Sequence, residues 1–143
     1  MIRKGTYVLF LRFGEDIETE VGSLGTVRLC AGDYCYVGSA MNGLDQRVSR
    51  HLSNEKKKRW HIDYLTMMCG DMAAYEHEGG GLTECGLSEL LLNIGSTPAA
   101  KGFGCSDCGC QTHLYRVDGE RTRKALEDLG MTVFFDRRLQ RQD

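Results

Sequence analysis

The chain has 143 residues, of which 41% are hydrophobic and 27% charged, a composition typical of one globular domain that can bury a core. It has no run of about 18 apolar residues, which excludes a membrane-spanning helix, and no signal-peptide pattern at residues 1–4, so we expect a cytoplasmic protein. The net charge of −2 excludes a global field that attracts nucleic acid.

Closely spaced strands are predicted in the first third of the chain, where they suit antiparallel pairing. Residues 6–13 alternate between two apolar faces, so this strand is predicted to be central in its sheet. Shorter strands are predicted at residues 17–21, 26–30 and 34–37. Gly38 and Ser39 are then predicted to form a tight turn that leads into a helix over residues 42–52.

The predicted helix at residues 42–52 has an apolar stripe with Arg47, Arg50 and His51 clustered beside it. A strand, a turn and a helix of this kind would form a cationic pocket for a phosphate, although a solvated basic face has the same pattern. Residues 42–60 contain six lysines and arginines against two acids, a local charge of +4. We therefore expect any nucleic-acid contact here. The candidate contact residues are Arg50, Lys56, Lys57, Lys58, Arg59 and His61.

The remaining elements are predicted from periodicity. Helices are predicted at residues 60–68, 84–93 and 120–129, and strands at residues 72–75, 112–117 and 132–135. His61 and Asp63 are candidate pocket residues on the first of these helices. If Thr83 caps the second helix, Glu84 shares a face with the residues that pack on the sheet. A carboxylate there is costly unless it is paired or holds a cation, whereas stabilisation by the helix N-terminus is the alternative.

Cysteine and histidine are concentrated in one loop. The chain has seven cysteines, and in a cytosolic protein we expect them to be reduced thiols, metal ligands or catalytic groups. Residues 105–113 hold three cysteines and a histidine, a composition that resembles zinc ligands. Their spacing is a weaker match, so buried thiols are the default. The candidate zinc or pocket residues are Cys85, Asp107, Cys108, Cys110 and His113.

Two tyrosines, Tyr7 and Tyr36, lie in predicted strands near glycines. A strand tyrosine is ordinarily a core residue. Phosphodiester hydrolysis, however, needs a group that deprotonates water, cations that hold the phosphate and usually a metal. A phenol with a pKa of about 10 is a poor base unless a nearby arginine or metal lowers that value.

These residues resemble the motifs of the GIY-YIG nuclease superfamily. Tyr7 ends Gly5-Thr6-Tyr7, which stands at the first motif with Thr6 in place of isoleucine, and Tyr36-Val37-Gly38 stands at the second. Arg47 and His51 follow at the family's helical spacing, and Glu84 stands at its metal-binding glutamate. The chain looks closest to the Uri-type endonuclease group, formerly a domain of unknown function, over residues 5–117.

The resemblance implies an α/β (α+β) fold with a small central antiparallel three-stranded sheet flanked by helices. Residues 1–143 would form one domain, with a core at about 5–117 and a C-terminal helix and strand extension at 118–143. It also implies Mg²⁺- or Mn²⁺-dependent cleavage of DNA. On the family pattern, the catalytic residues are Tyr7, Tyr36, Arg47, His51 and Glu84. Tyr7 would be the general base, Arg47 would stabilise the phosphate charge and Glu84 would hold the metal.

The alternative is a non-catalytic module on the same scaffold that binds nucleic acid or zinc. It rests on the cysteine-rich loop at residues 105–113 and on the basic run at residues 56–59. DNA is the expected partner in the preferred interpretation, and no membrane is expected. Because the net charge is negative, a partner or fused DNA-processing protein would deliver the substrate. The sequence assigns no oligomeric state.

Overall fold

The computed structural model describes residues 3–40, 43–53, 61–103 and 112–136. The strands are β1 (Gly5–Phe13), β2 (Ile17–Glu20), β3 (Thr26–Leu29), β4 (Gly32–Ala40), β5 (Asp71–Glu78), β6 (Thr97–Pro98), β7 (Leu114–Arg116) and β8 (Thr132–Asp136). The helices are α1 (Leu44–Leu52), α2 (His61–Thr66), α3 (Glu84–Asn93) and α4 (Gly119–Asp128). No helix within these ranges combines the length and hydropathy of a membrane-spanning segment.

The main sheet has six antiparallel strands in the order β6-β7-β4-β1-β5-β8, and β2 pairs with β3 in a separate two-stranded sheet. The fold is α+β, but the predicted small three-stranded sheet is wrong. β4, β1 and β5 form only the centre, because β7 pairs with β4 and β8 pairs with β5. These added strands satisfy the backbone groups that β4 and β5 would otherwise leave open at the sheet edges.

The alternation predicted along β1 is confirmed. Tyr7, Leu9, Leu11 and Phe13 belong to one buried cluster, which also contains apolar residues of α1 and α2. Val8 and Phe10 belong to a second cluster, which contains apolar residues of α3 and α4. The two helix pairs therefore cover opposite faces of the sheet, and β1 contributes apolar side chains to both cores.

The predicted start of α3 is also confirmed. Thr83 is the N-cap residue, and its hydroxyl oxygen accepts a hydrogen bond of 3.0 Å from the Gly86 amide. The helix covers the predicted residues, with Leu87 buried against the sheet and Glu89 exposed. This cap fixes the first residue of the helix, Glu84, at the end of the element.

The predicted tight turn at Gly38 and Ser39 is wrong, because β4 continues through both residues to Ala40. Gly38 lies directly opposite Tyr7 in the β1–β4 pairing. A methyl group at Gly38 would overlap the Cζ and hydroxyl of Tyr7. Because Gly38 has no side chain, the ring of Tyr7 on the neighbouring strand can lie against β4.

Candidate active site

Two phenols and an imidazole meet where β1, β4 and α1 pack together. The hydroxyl of Tyr7 lies 2.8 Å from Nε2 of His51, which is hydrogen-bonding distance. The ring centroids of this pair are 5.2 Å apart, and the Tyr36 and His51 centroids are 6.4 Å apart. Tyr7 is 2% exposed, Tyr36 8% and His51 1%, so the imidazole and both phenols are held in a dry environment.

Arg47 lies one helical turn before His51 on α1. One of its guanidinium nitrogens donates a hydrogen bond of 3.3 Å to the Ser39 carbonyl, which joins α1 to the end of β4. The guanidinium is half-buried. Its charge lowers the pKa of Tyr7 and of Tyr36, which places the cation beside both phenols.

Burial is the dominant influence on the two phenols, and it raises the pKa of each well above the ordinary value because a phenolate would lose its hydration. Arg47 opposes this rise for both, whereas the negative charge of Glu84 adds to it. The charges of Arg47 and Glu84 therefore both act on Tyr7 and Tyr36. We call these four residues, with His51, the Tyr–His cluster.

The raised pKa values make a prediction for alkaline solution. Above a pH of about 10 the phenols of the unfolded chain lose protons that Tyr7 and Tyr36 retain when folded. Their contribution to the free energy of unfolding is therefore complete below that pH and falls as pH rises toward the folded pKa. We expect the folded Tyr7→Phe/Tyr36→Phe variant to develop the same tyrosinate absorbance as wild type above pH 10. A smaller absorbance in the folded variant would contradict this prediction.

Glu84 is the member of the Tyr–His cluster that α3 contributes. It is the first residue of α3, whose apolar residues pack on the face opposite Tyr7, yet its charge acts on both phenols. Its side chain is 36% exposed, and Oε1 lies 4.0 Å from Nδ1 of the buried His113. The carboxylate thus lies in the first helical turn in partial contact with solvent, as the alternative interpretation expected, and its binding of a cation stays a prediction.

Comparison with protein families gives a match over most of the chain. The pattern of one family matches residues 6–134, which include every residue of the Tyr–His cluster. The chain belongs to the family described as a domain of unknown function, DUF123. No curated protein matches the chain, and no solved structure does.

Within the residues that the structure describes, no three His, Cys, Asp or Glu side chains are grouped to hold an ion. Mg²⁺ commonly takes one or two carboxylates and completes its shell with water and substrate phosphates. The partly exposed carboxylate of Glu84, which lies 4.0 Å from Nδ1 of His113, fits a site of that kind.

The zinc prediction rests mostly on residues outside the described ranges, namely Asp107, Cys108 and Cys110. Of the other two candidates, Cys85 is exposed, and His113 is buried beside Glu84. The basic run Lys56, Lys57, Lys58 and Arg59 also lies outside the described residues. His61 is described and packs against Phe103, with ring centroids 5.5 Å apart and the ring planes tilted by 58°.

Two contacts beside the Tyr–His cluster of this DUF123 domain were not predicted from the sequence. Arg50, a candidate for phosphate contact, bonds through two nitrogens to the carboxylate of Asp63, at 2.9 and 3.0 Å. Phe103 is fully buried, and its ring centroid is 5.9 Å from that of Tyr36. An aspartate between apolar residues on a short helix was the only sequence signal for the first contact.

Proposed function

We propose that this DUF123 domain is an endonuclease of the GIY-YIG type, related to the Uri-type group, that hydrolyses DNA phosphodiester bonds with a divalent metal. The observation that supports it is convergence in space. The Tyr7 hydroxyl lies 2.8 Å from the His51 imidazole, and the charges of Arg47 and Glu84 act on the same phenol. A base, a cation and a metal-binding carboxylate are the groups that this hydrolysis requires.

In the proposed reaction Tyr7 takes a proton from the attacking water. Because burial raises its pKa, Tyr7 is a neutral phenol at ordinary pH and must lose its own proton as it accepts another. Nε2 of His51 is placed to receive that proton, so one proton moves from water to Tyr7 and one from Tyr7 to His51. The imidazolium returns its proton to solvent after product release.

Arg47 acts on the phosphate in this proposal, and Tyr36 supports the imidazole. The half-buried guanidinium of Arg47 would bind the phosphate oxygens and stabilise their developing charge in a site of low dielectric constant. Tyr36 would hold the imidazole and border the pocket. Since Tyr7 is 2% exposed and Glu84 36%, the phosphate would enter from the side of Glu84.

Glu84 would hold Mg²⁺ or Mn²⁺ in this proposal. When bound there, the ion would act as a Lewis acid that neutralises phosphate charge. A single carboxylate suits this role, because the substrate itself supplies further oxygen ligands. As the first residue of α3, Glu84 lies at a helix N-terminus, where a negative charge is stabilised by the helix dipole.

The test compares Glu84→Ala with Glu89→Ala on nicked, flapped and branched DNA in the presence of Mg²⁺ or Mn²⁺. Both residues are glutamates of α3, but Glu89 is exposed on its far side. Loss of several kcal/mol of charge stabilisation predicts cleavage slowed about 100-fold or more in Glu84→Ala and near wild-type rates in Glu89→Ala. If wild type and Glu84→Ala leave every substrate equally intact, the proposal fails. Binding without cleavage would then favour the non-catalytic module.

A further inference from the structure

Asp63 is a fully buried residue that lies outside the Tyr–His cluster and contacts α1, the helix that carries His51. It belongs to the first turn of α2 and is 0% exposed. Arg50 of α1 donates from Nη1 to Oδ1 at 2.9 Å and from Nη2 to Oδ2 at 3.0 Å. A buried carboxylate is costly unless it is paired, and the planar guanidinium fixes its orientation through two parallel bonds.

The same carboxylate faces His51. Oδ1 of Asp63 lies 4.0 Å from Nδ1 of His51, and the two side chains are 0% and 1% exposed. This separation is too long for a direct hydrogen bond. In a dry environment, however, a negative charge at this distance favours a proton on the nitrogen that faces it. The other ring nitrogen of His51, Nε2, faces the Tyr7 hydroxyl at 2.8 Å.

The position of the imidazole proton decides the direction of the Tyr7 hydrogen bond. A neutral imidazole has one donor and one acceptor nitrogen. With the proton on Nδ1, Nε2 accepts, and the Tyr7 hydroxyl donates to it. With the proton on Nε2, the imidazole would instead donate to the phenolic oxygen and occupy a lone pair that is needed to accept a proton from water.

We propose that Asp63, held by Arg50, is a positioning residue that keeps His51 in the Nδ1-protonated form so that Nε2 can accept the Tyr7 proton. Its catalytic meaning rests on the proposed function, but its effect on the imidazole does not. When His51 receives the proton of Tyr7, the new positive charge forms 4.0 Å from the Asp63 carboxylate, which stabilises it. This arrangement repeats the general pattern of a base oriented by a third group.

A purely structural role is the competing explanation, because the Arg50–Asp63 pair also joins α1 to α2. Such a role predicts a loss of stability when the pair is broken, but no preference between the two nitrogens of His51. The tautomer therefore separates the two explanations, and it can be measured on the resting protein without DNA or metal.

The decisive experiment is ¹⁵N NMR of the imidazole side chains in the wild-type protein. The chain has four histidines, so comparison with His51→Gln assigns the resonances of His51. We expect Nδ1 of His51 to be protonated and Nε2 to be unprotonated. Protonated Nε2, or an equal mixture of the two forms, overturns the proposal. This measurement needs no variant at Asp63, so it tests the proposal even if Asp63→Asn does not fold.

Asp63→Asn tests the cause, because it keeps the shape of the side chain and removes its charge. We expect the Nδ1 preference to disappear and any measured cleavage to fall about 10–100-fold, as is typical when a supporting carboxylate is removed. Glu18→Gln is the control, since it breaks the exposed Glu18–Arg28 pair of the separate β2–β3 sheet. An unchanged tautomer in a folded Asp63→Asn protein would overturn the proposal. Absence of cleavage in wild type would remove only the proposed function.

Discussion

Replacing Tyr7 by phenylalanine is expected to slow DNA cleavage by about 10²–10⁴-fold, the usual contribution of a positioned acid or base. The variant keeps the ring and loses only the hydroxyl that lies 2.8 Å from His51. Without this oxygen no group links the attacking water to the imidazole. Arg47 and Glu84 remain, so binding of DNA and metal should change little and the loss should lie in the chemical step.

The same substitution should also lower stability, and a control variant separates the two effects. Tyr7→Phe leaves a buried imidazole nitrogen without its phenol partner, which costs about 1–3 kcal/mol. Tyr75→Phe makes an equivalent change on the opposite face of the sheet, where the buried Tyr75 hydroxyl accepts a bond of 3.1 Å from Arg123. We expect Tyr75→Phe to be destabilised but fully active.

Single-turnover cleavage and urea unfolding measure the two quantities. The expected pattern is a large kinetic loss in Tyr7→Phe alone, with comparable losses in the free energy of unfolding for both variants. Equal cleavage rates in the two variants would contradict the assignment of Tyr7 as the base. A parallel loss of rate and stability in both would assign the phenols a structural role.

The sequence predicted the local features of this fold well because they depend on neighbouring residues. The alternating apolar pattern of residues 6–13 gave a central strand with two buried faces, as observed for β1. Thr83 gave the start of α3, because a cap depends on a hydroxyl and an amide three residues away. Both features are decided within one element.

Features that join distant segments could not be predicted in this way. The strands observed as β7 and β8 were predicted, but their pairing with β4 and β5 was not, because it depends on tertiary packing. β6 has only two residues, which is too short for a periodic signal. The Arg50–Asp63 contact depends on how α1 and α2 pack. The spacing along α1 predicted a phosphate pocket or a solvated basic face, and neither contains this pair. For the candidate site, the resemblance named the residues. Whether these residues lie close together depends on tertiary packing, which the sequence does not show.

Gly38 shows how a correct residue can be given a wrong structural reason. The residue was predicted to be a turn because glycine commonly interrupts strands, but β4 continues through it. Its role is steric, since a side chain at Gly38 would enter the space of the Tyr7 ring. The pairing of Gly38 with Tyr7 across two strands is a long-range relation that no local pattern contains.

Gly38→Ala is therefore expected to displace the Tyr7 ring and to slow cleavage about 100-fold, the typical effect of moving a catalytic group by about 1 Å. Overpacking in the core should also lower the free energy of unfolding by about 1–3 kcal/mol. Cleavage assays and urea unfolding measure the two effects. Gly14→Ala is the matched control, because a methyl group at Gly14 would meet no atom within 4 Å.

A double-mutant cycle identifies the ring of Tyr7 as the cause. In a Tyr7→Ala background the space opposite Gly38 is empty, so adding Gly38→Ala should cost far less stability than it does in wild type. Equal costs in the two backgrounds would contradict the steric explanation. The cycle uses only unfolding measurements, so it remains informative whether or not the domain cleaves DNA. If it holds, Gly38 and Tyr7 act as one unit: the glycine creates the space in which the phenol meets His51.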